Sequence, residues 1–221
     1  MRKGFYKANL SHVPNSIIDS TLLSIKSHQK RYSVGVPYKW QTGGWTDLEN
    51  KKACISNMKH VTTDEKIQQF PELYFENIMI PYVYPEIDKW IVENKPEYVG
   101  EIFHTRSSWY MIYGTETDTY TPMHNHAGQG QRTHGGNQVE CCSGCFYLQS
   151  PGNHTRTFEF YDDNGELVKI YPADKDLVLF PTDMMHSAHQ QRTNMESIAI
   201  AFNVLFYKEN DDDDGTNSKT Q

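Results

Sequence analysis

Ser197-Ile198-Ala199-Ile200-Ala201-Phe202-Asn203-Val204-Leu205-Phe206 reads as one β-strand with two unlike faces. Side chains on a strand alternate with period two, so Ile198, Ile200, Phe202, Val204 and Phe206 make a bulky row and Ser197, Ala199, Ala201 and Asn203 a small one. The bulky row packs outward into a core, while the small row faces inward and leaves room beside it. Working back along the chain, further strand candidates at 102–113, 120–124, 145–149, 157–161, 167–171, 177–180 and 186–190 are separated by Gly, Pro, Asn and Asp signals. Short strands in this number predict a mainly β architecture with N-terminal helices, a double-stranded β-helix barrel of jelly-roll or cupin-like type.

The first hundred residues have a different character. Residues 1–15 read as an extended lead-in, and Ser16-Ile17-Ile18-Asp19 as a capped helix start with Ser16 as N-cap; Ile18, Leu22 and Ile25 follow at helical spacing. Residues 32–50, with Trp40, Trp45, Pro37, Gly43 and Gly44, predict a loop that is either pinned to the core by its aromatics or free to act as a lid. Residues 64–95 read as helix interrupted at Pro71, Pro81 and Pro85, with Trp90 and Ile91 on its buried side and Pro96 as its stop. The expected organisation is a helical and loop region over 1–100, a barrel over 101–207 and an acidic disordered tail over 208–221. Loops at 32–60 and 127–140 are the expected variable segments.

A chain of 221 residues with 37% hydrophobic content can bury a substantial single core. The net charge is −7, and the four aspartates from Asp211 to Asp214 account for enough of it to leave −3 for the rest. Nothing resembles a basic nucleic-acid-binding surface. No signal-peptide pattern and no apolar run of roughly 18 residues are present, so the expected location is the cytoplasm. Four cysteines, three of them clustered at Cys141, Cys142 and Cys145, suit a reducing compartment better than a disulfide framework.

Thr121-Pro122-Met123-His124-Asn125-His126 closes one of the strand candidates with two histidines a residue apart, which alternation directs to one face. His186 follows the buried-looking run Leu177-Val178-Leu179-Phe180-Pro181. Two imidazoles from one strand and a third from a distant one can grip one metal ion. His134 with Cys141, Cys142 and Cys145 is a weaker candidate for zinc, because it lacks paired C-x-x-C units. His189, three residues from His186, should face away.

Tyr113-Gly114, Tyr120 to His126, Ser143-Gly144-Cys145-Phe146-Tyr147-Leu148, Leu179-Phe180-Pro181 leading to His186, and Ile198 to Val204 together resemble the iron(II)/2-oxoglutarate-dependent oxygenases. The likeness is to the form common in bacteriophage genomes and, more distantly, to prolyl hydroxylases; it covers roughly the second half of the chain. It implies a hydroxylase that uses Fe(II), 2-oxoglutarate as cosubstrate and O2, acting on a substrate the sequence does not identify. It also implies metal ligation by His124, His126 and His186, with Tyr113 and Tyr147 hydrogen-bonding 2-oxoglutarate. Two departures from the family pattern stand out. His126 occupies the usual aspartate position, leaving the centre one unit more positive. Ser197 occupies the position of an arginine that clamps the distal carboxylate. Arg192 is the nearest substitute, on a hairpin roughly 15–20 Å from the metal at ~3.3 Å per residue; Arg156, Arg132 and Lys169 are the alternatives. Two further readings stay open: a cupin-like three-histidine dioxygenase or isomerase without 2-oxoglutarate, and a non-catalytic β-barrel binding module.

Overall fold

The computed structural model describes residues 2–32, 53–58, 75–99, 103–113, 119–126, 140–152, 154–191 and 193–206. Two antiparallel sheets dominate. The larger has the order β1 (Tyr6–Asn9), β8 (Asp176–Pro181), β5 (Glu140–Gln149), β10 (Ser197–Phe206), β3 (Phe103–Tyr113), β2 (Ala53–Met58); the smaller has β4 (Thr119–His124), β9 (His186–Gln190), β6 (Arg156–Tyr161), β7 (Leu167–Ile170). From β3 onward the chain crosses repeatedly between them, with β6 and β7 joined as a hairpin within the smaller sheet. That winding is the double-stranded β-helix expected from the sequence.

The two rows of β10 face two different cores. Ile198, Ile200, Phe202 and Val204 join Tyr110, Ile112, Phe146, Leu148, Leu177 and Leu179 in a core shared with the helices. Ala199 instead belongs to the barrel interior with Cys145, Tyr147, Phe158, Phe160, Val178, Phe180 and Met184. Gly144 is required at the centre of the large sheet, where it pairs with Phe202. A Cβ there would come within 2.4 Å of the Phe202 ring and 2.8 Å of Leu179.

Helix α1 (Asn15–Tyr32) docks by Ile18 and Ile25, with Leu22 partly buried against the same core. It starts before the expected Ser16 cap: the Pro14 carbonyl accepts the N–H groups of Ile17 and Ile18, so the first turn is already closed at Asn15. A short helix α2 (Glu76–Ile78) runs through a π-turn (Met79–Val83) into α3 (Tyr84–Asn94). The wider turn contains Pro81, which has no N–H to give to the helical ladder. Trp90 is fully buried and its Nε1 donates to the Gly4 carbonyl at 2.7 Å, tying α3 to the N-terminal segment. Helix α3 stops just before Pro96, as expected.

Three boundaries differ from the sequence reading. Ala53–Met58, expected within a variable loop, is strand β2 on the edge of the large sheet, and Tyr6–Asn9 of the lead-in is paired as β1. β5 begins at Glu140, inside the segment expected as a loop and five residues earlier than expected. Its first half carries Ser143 and Gly144, which pair with Asn203 and Phe202 of β10. The remainder of the expected loops, the stretch 64–74 and the tail lie outside the described residues. Among the described residues, no helix is long and apolar enough to cross a membrane.

Candidate active site

His124 ends β4 directly opposite His186, the first residue of β9. This rung places their ring centroids 4.2 Å apart. His126 lies two residues beyond the strand end, where its backbone N–H donates to the Thr182 carbonyl at 2.7 Å. Its ring is 5.2 Å from that of His124 and 5.0 Å from that of His186, centroid to centroid. One ligand nitrogen from each of the three falls within 4.8 Å of the others. The expected trio therefore converges, although strand alternation accounts only for His124; tertiary hydrogen bonds orient His126.

The Nδ1 atoms of His126 and His186 are committed to hydrogen bonds. His186 Nδ1 donates to the Met184 carbonyl at 2.9 Å. His126 Nδ1 is 2.7 Å from Ser143 Oγ and 2.8 Å from Asn203 Oδ1, while His126 Nε2 faces His124 Nε2 at 3.3 Å. Phe180 and Phe158 pack on His186 with centroids 4.5 and 5.5 Å away, holding its ring from behind. Burial, followed by the nearby His124 imidazole, lowers the pKa of His126 to about 4; the same two causes, with His126 added, hold His186 well below the ordinary value. Both are neutral near pH 7. Three imidazoles turned toward one point, two of them held neutral by burial, suit a divalent first-row metal.

A second polar feature lies deeper in the same barrel. Arg156, Phe158 and Phe160 alternate onto one face of β6, and Phe160 is opposite His186. Arg156 is 1% exposed, with its guanidinium carbon 3.5 Å from the Tyr113 ring centroid and 5.9 Å from that of Tyr147. None of its three nitrogens has a hydrogen-bond partner among the described residues. The hydroxyls of Tyr147 and Ser197 are buried as well, Tyr147 beside the Cys145 thiol and Ser197 opposite Tyr113 in the sheet. Tyr113 donates to or accepts from Thr121 Oγ1. Two neighbouring acids stay protonated beside it: burial pushes the Cys145 thiol up to about 12, and burial and then Cys145 raise Tyr147 well above its ordinary value. A buried guanidinium stays charged, and leaving it unpaired is costly. The corner is built for an anion with further hydrogen-bonding capacity.

Of the other residues singled out from sequence, Arg192, Arg132, His134 and the Cys141 side chain lie outside the described residues. Lys169 is paired with Glu159 at 3.0 Å and half exposed, away from the interior. Cys142 and Cys145 belong to different cores on opposite faces of β5, which rules out a shared zinc site or redox pair between them. His189 falls on the opposite phase of β9 from His186. Ser143 and Asn203 were not anticipated as site residues. Their signal was present as polar positions within otherwise apolar strands, on the small inner rows.

A scan against family models and a search of curated proteins found no match. Solved structures do match. A Pseudomonas putida prolyl-4-hydroxylase is similar at 11% identity, covering 93% of each chain with a TM-score of 0.55. HygX from Streptomyces hygroscopicus, with nickel and 2-oxoglutarate bound, shares 10% identity over 91% of this chain and 82% of its own, TM-score 0.52. SnoK, a non-heme α-ketoglutarate-dependent carbocyclase from nogalamycin biosynthesis, shares 9% over 93% and 79%, TM-score 0.59. This chain has their fold. The double-stranded β-helix is common to enzymes whose reactions differ, so the reaction has to be argued from the site.

Proposed function

We propose that the chain is a non-haem iron(II) oxygenase that couples oxidative decarboxylation of 2-oxoglutarate to hydroxylation of a second substrate. His124, His126 and His186 hold the metal, and Arg156, Tyr113 and Tyr147 receive 2-oxoglutarate. The observation that carries this reading is Arg156, a buried guanidinium stacked on Tyr113 with no carboxylate paired to it among the described residues, in the same interior as the converging imidazoles. A metal site alone fits the cupin-like alternative equally well, whereas a buried cation waiting for an anion fits a dicarboxylate.

The spacing agrees. Arg156 is four residues along β6 from Phe160, the residue opposite His186. At about 3.3 Å per residue this is roughly 13 Å of backbone, an interval for an arginine, an imidazole and a short diacid between them. The guanidinium fork matches a carboxylate in two parallel hydrogen bonds, and the buried Tyr147 and Ser197 hydroxyls offer further donors for it. Arg156 thus takes the role that the family resemblance gives to the arginine replaced here by Ser197. Phe158 and Phe180 pack on the His186 ring and give it an apolar backing. Once bound, the iron and 2-oxoglutarate supply the oxygen activation, with succinate and carbon dioxide as products.

The test is iron-dependent release of succinate from 2-oxoglutarate in air. The protein loaded with Fe(II) is expected to produce succinate, and His124→Ala and His186→Ala to abolish it. Iron-loaded protein that neither binds 2-oxoglutarate nor releases succinate would overturn the proposal in favour of a cupin-like centre.

A further inference from the structure

Resting on the metal-centre reading above, we infer that Ser143 and Asn203 are positioning residues that make His126 a metal ligand, so that a third imidazole stands where the related pattern has a carboxylate. The geometry is a closed triangle. Ser143 Oγ donates to Asn203 Oδ1 at 2.7 Å, and both oxygens face His126 Nδ1, at 2.7 and 2.8 Å. Ser143 and Asn203 are opposite one another on β5 and β10, both essentially without solvent exposure. They occupy the small inner rows of the two central strands, rigid positions from which a side chain can be aimed.

The chemistry of the triangle leaves the ring one useful orientation. The Ser143 proton is spent on Asn203, so the oxygens of both residues accept from His126, and the shared proton is on Nδ1. Nε2 is then a bare lone pair, and it faces the Nε2 of His124 at 3.3 Å. In the metal-free protein that lone pair accepts the Nε2–H of His124, and a bound metal takes the place of this proton between the two nitrogens. The brace therefore does for an imidazole what the backbone carbonyl of Met184 does for His186, fixing tautomer and direction together. Its members are neutral. The ligand set consequently carries no charge, and the centre retains the full charge of its metal.

The competing arrangement has the Asn203 amide reversed, with its NH2 donating to His126 Nδ1 and the ring proton on Nε2, bonded to His124. In that case His126 closes a hydrogen-bonded pair and ligates nothing. Titration of the metal-free full-length protein with Co(II), followed by its ligand-field absorption, separates the two. Asn203→Leu is expected to weaken Co(II) binding about 10- to 100-fold and to alter the bands, and Asn203→Asp, which keeps an acceptor oxygen, to restore both. Unchanged affinity and bands in Asn203→Leu would overturn the inference. Failure of the wild-type protein to take up Co(II) would overturn the metal-centre reading itself. Should Asn203→Leu not fold, 15N NMR of the His126 ring in the wild-type protein decides the matter: protonated Nδ1 supports the brace, and protonated Nε2 contradicts it.

Discussion

Arg156 illustrates how a single side chain can be a liability for stability and an asset for binding. Its charge is buried against two tyrosine rings with no carboxylate paired to it among the described residues, and replacing a buried charge with an apolar group of similar length is often neutral or stabilising. Arg156→Met is accordingly expected to leave the melting temperature of the metal-free protein unchanged or higher. The same substitution should weaken 2-oxoglutarate binding by about 2–5 kcal/mol, the usual consequence of truncating one half of a buried charge pair. Calorimetry on the metal-loaded protein and thermal melts of the metal-free form check the two halves; a destabilised variant with unaltered 2-oxoglutarate affinity would make Arg156 a packing residue. Sequence could name Arg156 but not rank it above Arg192, because the ranking depends on strand phase and register. The three histidines were legible because two are adjacent in one motif and the third follows a buried run. The brace on His126 was not, since Ser143 and Asn203 are 60 residues apart and meet only through the β5–β10 register.

Among the elements, β10 was the most legible: its alternation of large and small residues corresponds to two separate cores. β1 and β2 were not, because short edge strands lack enough alternation to distinguish them from loop. The close fit of Phe202 over Gly144 gives one prediction. Gly144→Ala should destabilise the fold by about 1–3 kcal/mol through overpacking, and Phe202→Leu in the same molecule should recover part of it; equal stability of Gly144→Ala and wild type in urea unfolding would contradict the packing described. A second concerns the contact between β1 and α3. Burial disfavours the Glu86 carboxylate, but hydrogen bonds from Lys89 at 2.7 Å and from Tyr6 more than offset this and leave its pKa below the ordinary 4.5. A carboxyl held low in the folded state contributes its stability in full above the unfolded value and loses it as pH falls through the folded one. The stability gap between wild type and Glu86→Gln should therefore be open at pH 6 and narrow below about pH 4.5. A gap independent of pH in urea titrations would show that this charge is not part of what ties the two elements together.

At the scale of the whole molecule, the two cores divide the work. One is apolar and anchors the helices to the large sheet; the other, enclosed between the sheets, is apolar in the middle and polar at two places, the imidazoles near one end of β9 and the guanidinium at the other end of β6. A closed antiparallel architecture of jelly-roll type was legible from the number of short strands, and the family resemblance narrowed it to the double-stranded β-helix. The distance between the two polar places was not, because it is set by the pairing of β6 with β9 and only the folded chain fixes that. The central claim is that a metal at His124, His126 and His186 and a dicarboxylate on Arg156 occupy one interior and touch each other. Anaerobic titration of the protein with Fe(II) and 2-oxoglutarate tests it directly, by the visible metal-to-ligand charge-transfer absorption that chelation produces. The band should appear with wild-type protein, saturate with 2-oxoglutarate, require far more of it in Arg156→Met and be absent in His186→Ala. Saturating iron and 2-oxoglutarate with no such band in the wild-type protein would contradict the account.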